Sequence, residues 1–253
     1  MRLAFACPFY GPTYPMVTFG QLTTVMDTAA AGHVWVDNYS TNGMQHREAC
    51  QRMLGVASGD DRIDALVWTE HDVVLPPGGV KRLIEALEQT PEADIVTGIV
   101  FRRSAPHSPM VCYNEVPTRE QYERMKQNPS KQVREFASAH TYEELCDRWF
   151  MSISKIDSTE PPFPVDSASM GALVMRRRAL EKVVDVPDLF DAEEHVSIDT
   201  KFFMRCRDRG VKTYCVPNVL CGHLADPQVV TINEWIACVK QIIEKTARAR
   251  DEA

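Results

Sequence analysis

No apolar run in the chain approaches the roughly 20 residues that a membrane-spanning helix needs; the longest stretches, such as Ile95 to Phe101, have the length of a strand. The opening Met1-Arg2-Leu3-Ala4-Phe5-Ala6-Cys7 meets Pro8 before it is long enough for the apolar section of a signal peptide, and it lacks a cleavage site. The expectation is a soluble, cytoplasmic protein without integral membrane association. The eight cysteines, at 7, 50, 112, 146, 206, 215, 221 and 238, form no C-x-x-C pair. That speaks against a zinc ribbon or a disulfide framework and leaves reduced, mostly buried thiols as the expectation. There is no basic excess: 28 Lys and Arg against 35 Asp and Glu give a net charge of −7, so non-specific nucleic-acid binding is not expected. With 12 Gly, 16 Pro, no repeat and no low-complexity tract, collagen-like, disordered and coiled-coil classes are excluded. Neither G-x-G-x-x-G nor G-x-x-x-x-G-K follows the first apolar strand, so the phosphate cradles of dehydrogenases and P-loop enzymes are missing.

What is present is an alternation of short β-rich runs with segments of helical period, the pattern of a mostly parallel sheet flanked by helices. The 253 residues suffice for one large α/β core, and a single domain over residues 1–253 is expected. Expected strands are Leu3 to Cys7, Val34 to Asp37, Ala65 to Trp68, Asp94 to Phe101, Ala172 to Met175 and Lys212 to Val216. Expected helices are Thr18 to Ala31, Gln45 to Ala57, Gly78 to Gln89 and Ile198 to Arg209. A last helix starts at the capping-box pattern Thr231-Ile232-Asn233-Glu234, and its stripe Ile232, Trp235, Ile236, Val239, Ile242, Ile243 predicts a face docked on the body. Between about residues 115 and 163 the composition turns charged, which reads as an insertion with helical stretches near Thr118 to Lys126 and Thr141 to Phe150.

Ligands of open parallel sheets bind beyond the carboxyl ends of the strands, so those segments carry the candidate chemistry. After the first strand, Pro8, Tyr10 and Tyr14 can wall a planar base or simply pack their own loop. After the second, Asp37 and Asn38 can hold a nucleoside or form an Asx turn. After the third come Glu70-His71-Asp72 and a Pro-started helix; two carboxylates so placed suit Mg²⁺ or Mn²⁺ carrying a diphosphate. Arg102 and Arg103 follow the fourth strand, as phosphate or anion holders or as a solvated edge. Arg47 can reach a diphosphate from the second helix, or lie exposed.

Several ordered segments together resemble the GT-A glycosyltransferases of the inverting, single-domain type. They are Val36 to Gly43, Glu70-His71-Asp72 at the position of the D-x-D, Thr97 to Arg103, Val165 to Arg177, Ser197 to Gly210, and Cys221-Gly222-His223. The resemblance implies a Rossmann-like GT-A domain, a nucleotide-sugar donor (a UDP- or GDP-sugar foremost), and Mn²⁺ or Mg²⁺. It places Asp72 and His223 on the metal, with Gly222 leaving room for the chain to approach it. Pro8, Tyr10, Asp37, Asn38, Arg47 and Glu70 fall on the donor, and Arg102, Arg103, Asp166 and Gly171 on an acceptor of unstated identity. Asp199 becomes the base; its rival reading is a helix-start acid favoured by the macrodipole. Ile198 departs from the pattern, standing where an acid usually precedes the base, with Asp191, Glu193 and Glu194 close enough to substitute. Two alternatives accompany this reading. A sugar-1-phosphate nucleotidyltransferase would carry a glycine-rich basic loop where Pro8 to Pro15 stands, and a non-catalytic nucleotide- or sugar-binding module is compatible with Ile198.

Overall fold

The computed structural model describes residues 1–8, 14–41, 44–114, 118–128, 131–144, 150–153, 155–187, 189–191, 197–225 and 228–251. In chain order its elements are β1 (Arg2–Pro8), α1 (Pro15–Ala30), β2 (Val34–Thr41), α2 (His46–Gly59), β3 (Ala65–Thr69), β4 (Val73–Val74), α3 (Gly79–Gln89), β5 (Ile95–Ile99) and β6 (Val111–Asn114). The insertion contributes α4 (Arg119–Lys126), α5 (Lys131–Ala139) and β7 (Phe150–Ser152). There follow β8 (Phe163–Val165), β9 (Ser167–Ala168), β10 (Ala172–Arg176), α6 (Arg177–Val183), α7 (Ile198–Asp208), β11 (Thr213–Leu220), β12 (Gly222–Ala225), β13 (Gln228–Val230) and α8 (Ile232–Asp251).

Strands buried on both faces read as unbroken apolar runs, and the central ones do so here. Leu3, Phe5 and Cys7 of β1, with Ala65 and Val67 of β3, join one core under α3. Their neighbours Ala4, Ala6, Leu66 and Trp68 join the other, under α2 and α7, where Phe202 stacks on Phe190 at 5.5 Å. The result is a seven-stranded sheet in the order β2-β1-β3-β10-β5-β11-β8, mostly parallel and flanked by helices as expected. Two three-stranded sheets accompany it, β13-β12-β4 and β7-β6-β9.

Several expectations are corrected. Strand β10 runs antiparallel between β3 and β5. No crossover helix feeds it; the chain enters from the carboxyl end of β3, Ala172 pairing with Thr69. Strand β2 does not stop at Asp37 but continues to Thr41, its Asn38 to Thr41 pairing with Phe5 to Pro8. Helix α5 forms within the insertion, where no helix was expected, and of the stretch expected at Thr141 to Phe150 the segment 145–149 lies outside the described residues. Helix α8 packs Ile232 and Trp235 on the Phe101 cluster, while Ile236, Ile242 and Ile243 of the expected docking stripe are exposed. Helix α1 buries Val17, Gly20, Thr24 and Thr28 and leaves Phe19, Leu22 and Met26 facing outward. Five of the seven described cysteines are buried, and no disulfide joins described residues.

At Gly98 of β5 the chain of β11 approaches closely. A methyl group there would stand 2.9 Å from Val219 Cγ1 and 3.0 Å from the Val219 carbonyl oxygen. Gly98→Ala is therefore expected to cost about 1–3 kcal/mol, lowering the melting temperature by roughly 2–4 °C per kcal/mol. Gly55→Ala, in helix α2 with open space around it, is expected to raise it. Paired thermal melts check both, and equal effects would mean that close packing at Gly98 is not what decides.

Candidate functional site

Strand β3 ends at Thr69, and the chain turns with the Val73 N–H donating to the Glu70 carbonyl at 3.3 Å. The Glu70 N–H donates in turn to the Gly171 carbonyl at 3.2 Å. Strand β4 is two residues long, yet it is fixed from outside: Val73 and Val74 pair with His223 and Gly222 of β12, and Leu224 N–H donates to the Asp72 carbonyl at 2.9 Å. This pairing carries His223 from late in the chain to Asp72, Nε2 lying 3.7 Å from Oδ2, both residues buried.

The state of His223 follows from its neighbours. Nδ1 is 2.7 Å from the Phe101 carbonyl oxygen, a contact that a ring nitrogen makes only as donor, so the proton sits on Nδ1 and Nε2 presents its lone pair. The Arg103 Nε–H donates to that lone pair at 2.9 Å, and the same guanidinium pairs with Asp72 Oδ2. Burial above all, helped by the Arg103 charge and opposed by the Phe101 bond, lowers the His223 pKa. Asp72 Oδ1 is buried with no hydrogen-bond partner among the described residues. A carboxylate with a free oxygen, a neutral imidazole oriented by a backbone carbonyl and a cationic group already between them make a donor pair that fits a divalent cation. Among the described residues no group of three or more His, Cys, Asp or Glu is arranged to hold a metal ion, so such an ion would need further oxygens from a ligand or water.

A second cluster adjoins the first. Glu70 Oε1 lies 3.1 Å from Nε2 of His46, the first residue of α2. Burial pulls the His46 pKa down, but the hydrogen bond and charge of Glu70, with the charge of Asp199, more than offset it, and the net direction is up. Asp199 stands in the first turn of α7, behind the cap Ser197, which accepts from Thr200 N–H. Its Oδ2 accepts the Met170 N–H at 3.2 Å. Burial and then the Glu70 charge push Asp199 up to about 7, against the stabilising Met170 N–H, His46 and Ser169. A helix-start acid acting only on the macrodipole would be shifted the other way.

The other candidate residues fall elsewhere. Asp37 lies inside β2, 2.7 Å from Arg62, which also binds Asp60; it is no strand-end acid. With Asn38 it nevertheless borders a groove of about 380 Å³ between α1 and β2, walled by Phe5, Leu22 and Trp35. Gln21, in the same groove, reaches Thr69 Oγ1 at 3.5 Å, next to Glu70. Pro8 closes β1 opposite Thr41. Arg47 pairs with Asp191 at 2.5 Å, on the exposed side of α2. Arg102 is exposed, its main chain tied to Ser108 and His107. Asp166 borders a hollow with Arg207 and Lys212 at the amino end of β11, away from the carboxyl end of β3. Gly171 offers no open face to a sugar: a Cβ would meet Val73 Cγ2 at 2.7 Å. At Gly222 it would meet Val229 Cγ1 at 2.6 Å, so that glycine admits a strand, not an ion. Tyr10, Glu193 and Glu194 lie outside the described residues.

Sequence reasoning missed His46, Ser169, whose Oγ accepts the Gly171 N–H at 3.0 Å, and the place of Arg103 between Asp72 and His223. His46 carried a usable signal as the polar residue opening α2, one position before the Arg47 that was chosen.

No protein-family profile and no curated protein sequence matches the chain. Among solved structures, A197 from STIV aligns with a TM-score of 0.52 at 14% identity, over 91% of this chain and 94% of that one. GalNAc-T7, solved with UDP, GalNAc and Mn²⁺, aligns with a TM-score of 0.51 at 7% identity. That match covers 88% of this chain but only 43% of GalNAc-T7, so the chain spans less than half its length. CMP:2-keto-3-deoxy-manno-octonic acid synthetase complexed with CTP aligns with a TM-score of 0.43 at 12% identity, over 98% and 100% of the two chains. At such identities the likeness of the first two is one of fold alone, a mixed α/β fold with a large central sheet flanked by helices. Among the described residues no helix is long and apolar enough to cross a membrane.

Because the pKa of Asp199 is raised on folding, the unfolded chain binds fewer protons between about pH 4 and 7, and stability falls as pH rises through that window. Asp199→Asn, whose amide oxygen can still accept from Met170, removes the charge. Its melting temperature is expected to exceed the parent's by roughly 3 °C or more at pH 8, with the gain gone below about pH 4. Thermal melts across pH check this; a gain independent of pH would mean that the carboxylate is not held at a cost.

Proposed function

We propose that the protein is a nucleotide-sugar-dependent, metal-dependent glycosyltransferase of the inverting kind, acting within one GT-A-like unit. The observation that carries the reading is the convergence of Asp72 and His223 on one cationic group beyond the carboxyl end of β3, with Asp199 behind it. Asp72 and His223 would hold Mn²⁺ or Mg²⁺; a cation there supplies neutralisation of the charge that develops on a departing diphosphate. The groove bordered by Asp37, Asn38 and Trp35 would take the nucleoside, since Gln21 links it to the residue before Glu70. Mn²⁺ and UDP in the GalNAc-T7 structure are consistent with this arrangement on a related fold.

Asp199 would take the proton of the acceptor hydroxyl as that oxygen attacks. A carboxyl whose pKa is lifted to about 7 is matched to this task at neutral pH, being ionised enough to act and basic enough to accept. Glu70 and His46 would set that basicity, the one by its negative charge and the other by partly cancelling it.

Calorimetry with Mn²⁺ and a panel of nucleoside diphosphates and nucleotide sugars tests the binding half; metal-dependent binding in the parent should be lost in Asp72→Asn. For the chemical half, Asp199→Asn is expected to lower kcat about a hundred- to ten-thousand-fold with donor affinity retained, and the parent rate should fall below about pH 7 as the base protonates. Undiminished turnover in Asp199→Asn would remove the base assignment. Metal-dependent binding with no turnover on any acceptor would leave a binding module.

A further inference from the structure

Asp72 and His223 are buried, with 7% and 9% of their side chains exposed, whereas the Arg103 side chain that joins them is half exposed. A carboxylate so far from water needs a counter-charge, and Arg103 supplies it from the solvent side. The guanidinium does not lose its proton, and its Nε–H takes the lone pair of His223 Nε2. That nitrogen has one lone pair. It can accept from Arg103 or bind a metal, but not both, and the two positive charges would repel.

Resting on the metal reading proposed above, we infer that Arg103 is an exchangeable internal cation: it holds Asp72 and His223 in place while no metal is bound and must leave them for a divalent ion to bind. The metal-competent fraction of the protein is then the fraction from which Arg103 has withdrawn, and the apparent metal affinity is reduced by that fraction. The half-exposed guanidinium can move into water while the incoming divalent ion takes over the counter-charge at buried Asp72, so the exchange leaves no buried charge unpaired. The freed guanidinium remains beside the site, where an anionic diphosphate would meet it.

The test measures Mn²⁺ alone, without nucleotide, by the electron paramagnetic resonance signal of the free ion. Arg103→Met, close in length but uncharged, is expected to bind Mn²⁺ about tenfold more tightly than the parent if withdrawal is a one-in-ten event. Arg103→Lys, which keeps a donor and a charge, should stay near the parent. Without metal Arg103→Met should melt lower than the parent, and Mn²⁺ should restore it. If Arg103→Met binds Mn²⁺ no more tightly while Asp72→Asn loses it, the exchange is overturned and the metal site stands. If no Asp72-dependent binding appears in parent or variant, with or without a nucleoside diphosphate, the metal site fails and the exchange with it. Should Arg103→Met not fold, the parent still decides. Its Arg103 Nε–H resonance should be protected from solvent exchange in the free protein and lose that protection when Mg²⁺ saturates; protection that persists under Mg²⁺ overturns the exchange.

Discussion

The pairing of two-residue strand β4 with β12 is the contact on which the site depends. Two residues cannot form a stable strand by themselves; β4 exists because a segment some 150 positions later supplies its partner. The pairing places His223 against Val73 and so beside Asp72. It also explains two glycines, since Gly222 lets β12 approach Val74 and Val229, and Gly171 lets the chain before β10 approach Val73.

Around this pairing three carboxylates are brought into low-dielectric surroundings, and each is compensated differently. Asp72 meets a guanidinium from the solvent side, Glu70 meets His46 from α2, and Asp199 has a backbone N–H and a hydroxyl but no full positive charge in contact. At Asp199 burial and the Glu70 charge outweigh these partners, and its proton affinity rises.

Much of this was legible beforehand. Apolar runs located β1, β3, β5 and β10 within a residue or two, because strands buried on both faces leave a distinct composition, whereas β2 and β11 each run four residues further than expected. The acid pair after β3 was found through its position at a strand's carboxyl end. What stayed hidden depended on contacts across the chain. Asp37 looks like a strand-end acid until β1 pairs with Asn38 to Thr41 and extends β2 past it. Arg47 and Arg103 look alike as basic residues near strand ends; only the fold turns one outward to Asp191 and the other inward to Asp72. Gly171 reads as facing an acceptor and Gly222 as leaving room for the chain to approach the ion; that valine side chains crowd both was not visible in the sequence. Direction was equally invisible, since an apolar pentapeptide such as Ala172 to Arg176 reads the same in a parallel or an antiparallel strand.

The placement of β10 also has a bearing on the order in which the molecule can assemble. It is the only route by which β3 and β5 are joined in the central sheet, Leu173 pairing with Trp68 on one side and Thr97 on the other. A chain emerging from synthesis has made β3 about a hundred residues, and β5 about seventy, before residue 172 arrives, and their inner edges stay unpaired until then. The pairing of β10 with β3 is thus a contact of long sequence separation, of the kind that forms slowly and leaves strand edges open meanwhile. The residues that complete the site, Met170, Asp199 and His223, all belong to the segment that performs or follows that pairing. A chain stalled before residue 172 therefore lacks these candidate residues in place and leaves the inner edges of β3 and β5 open.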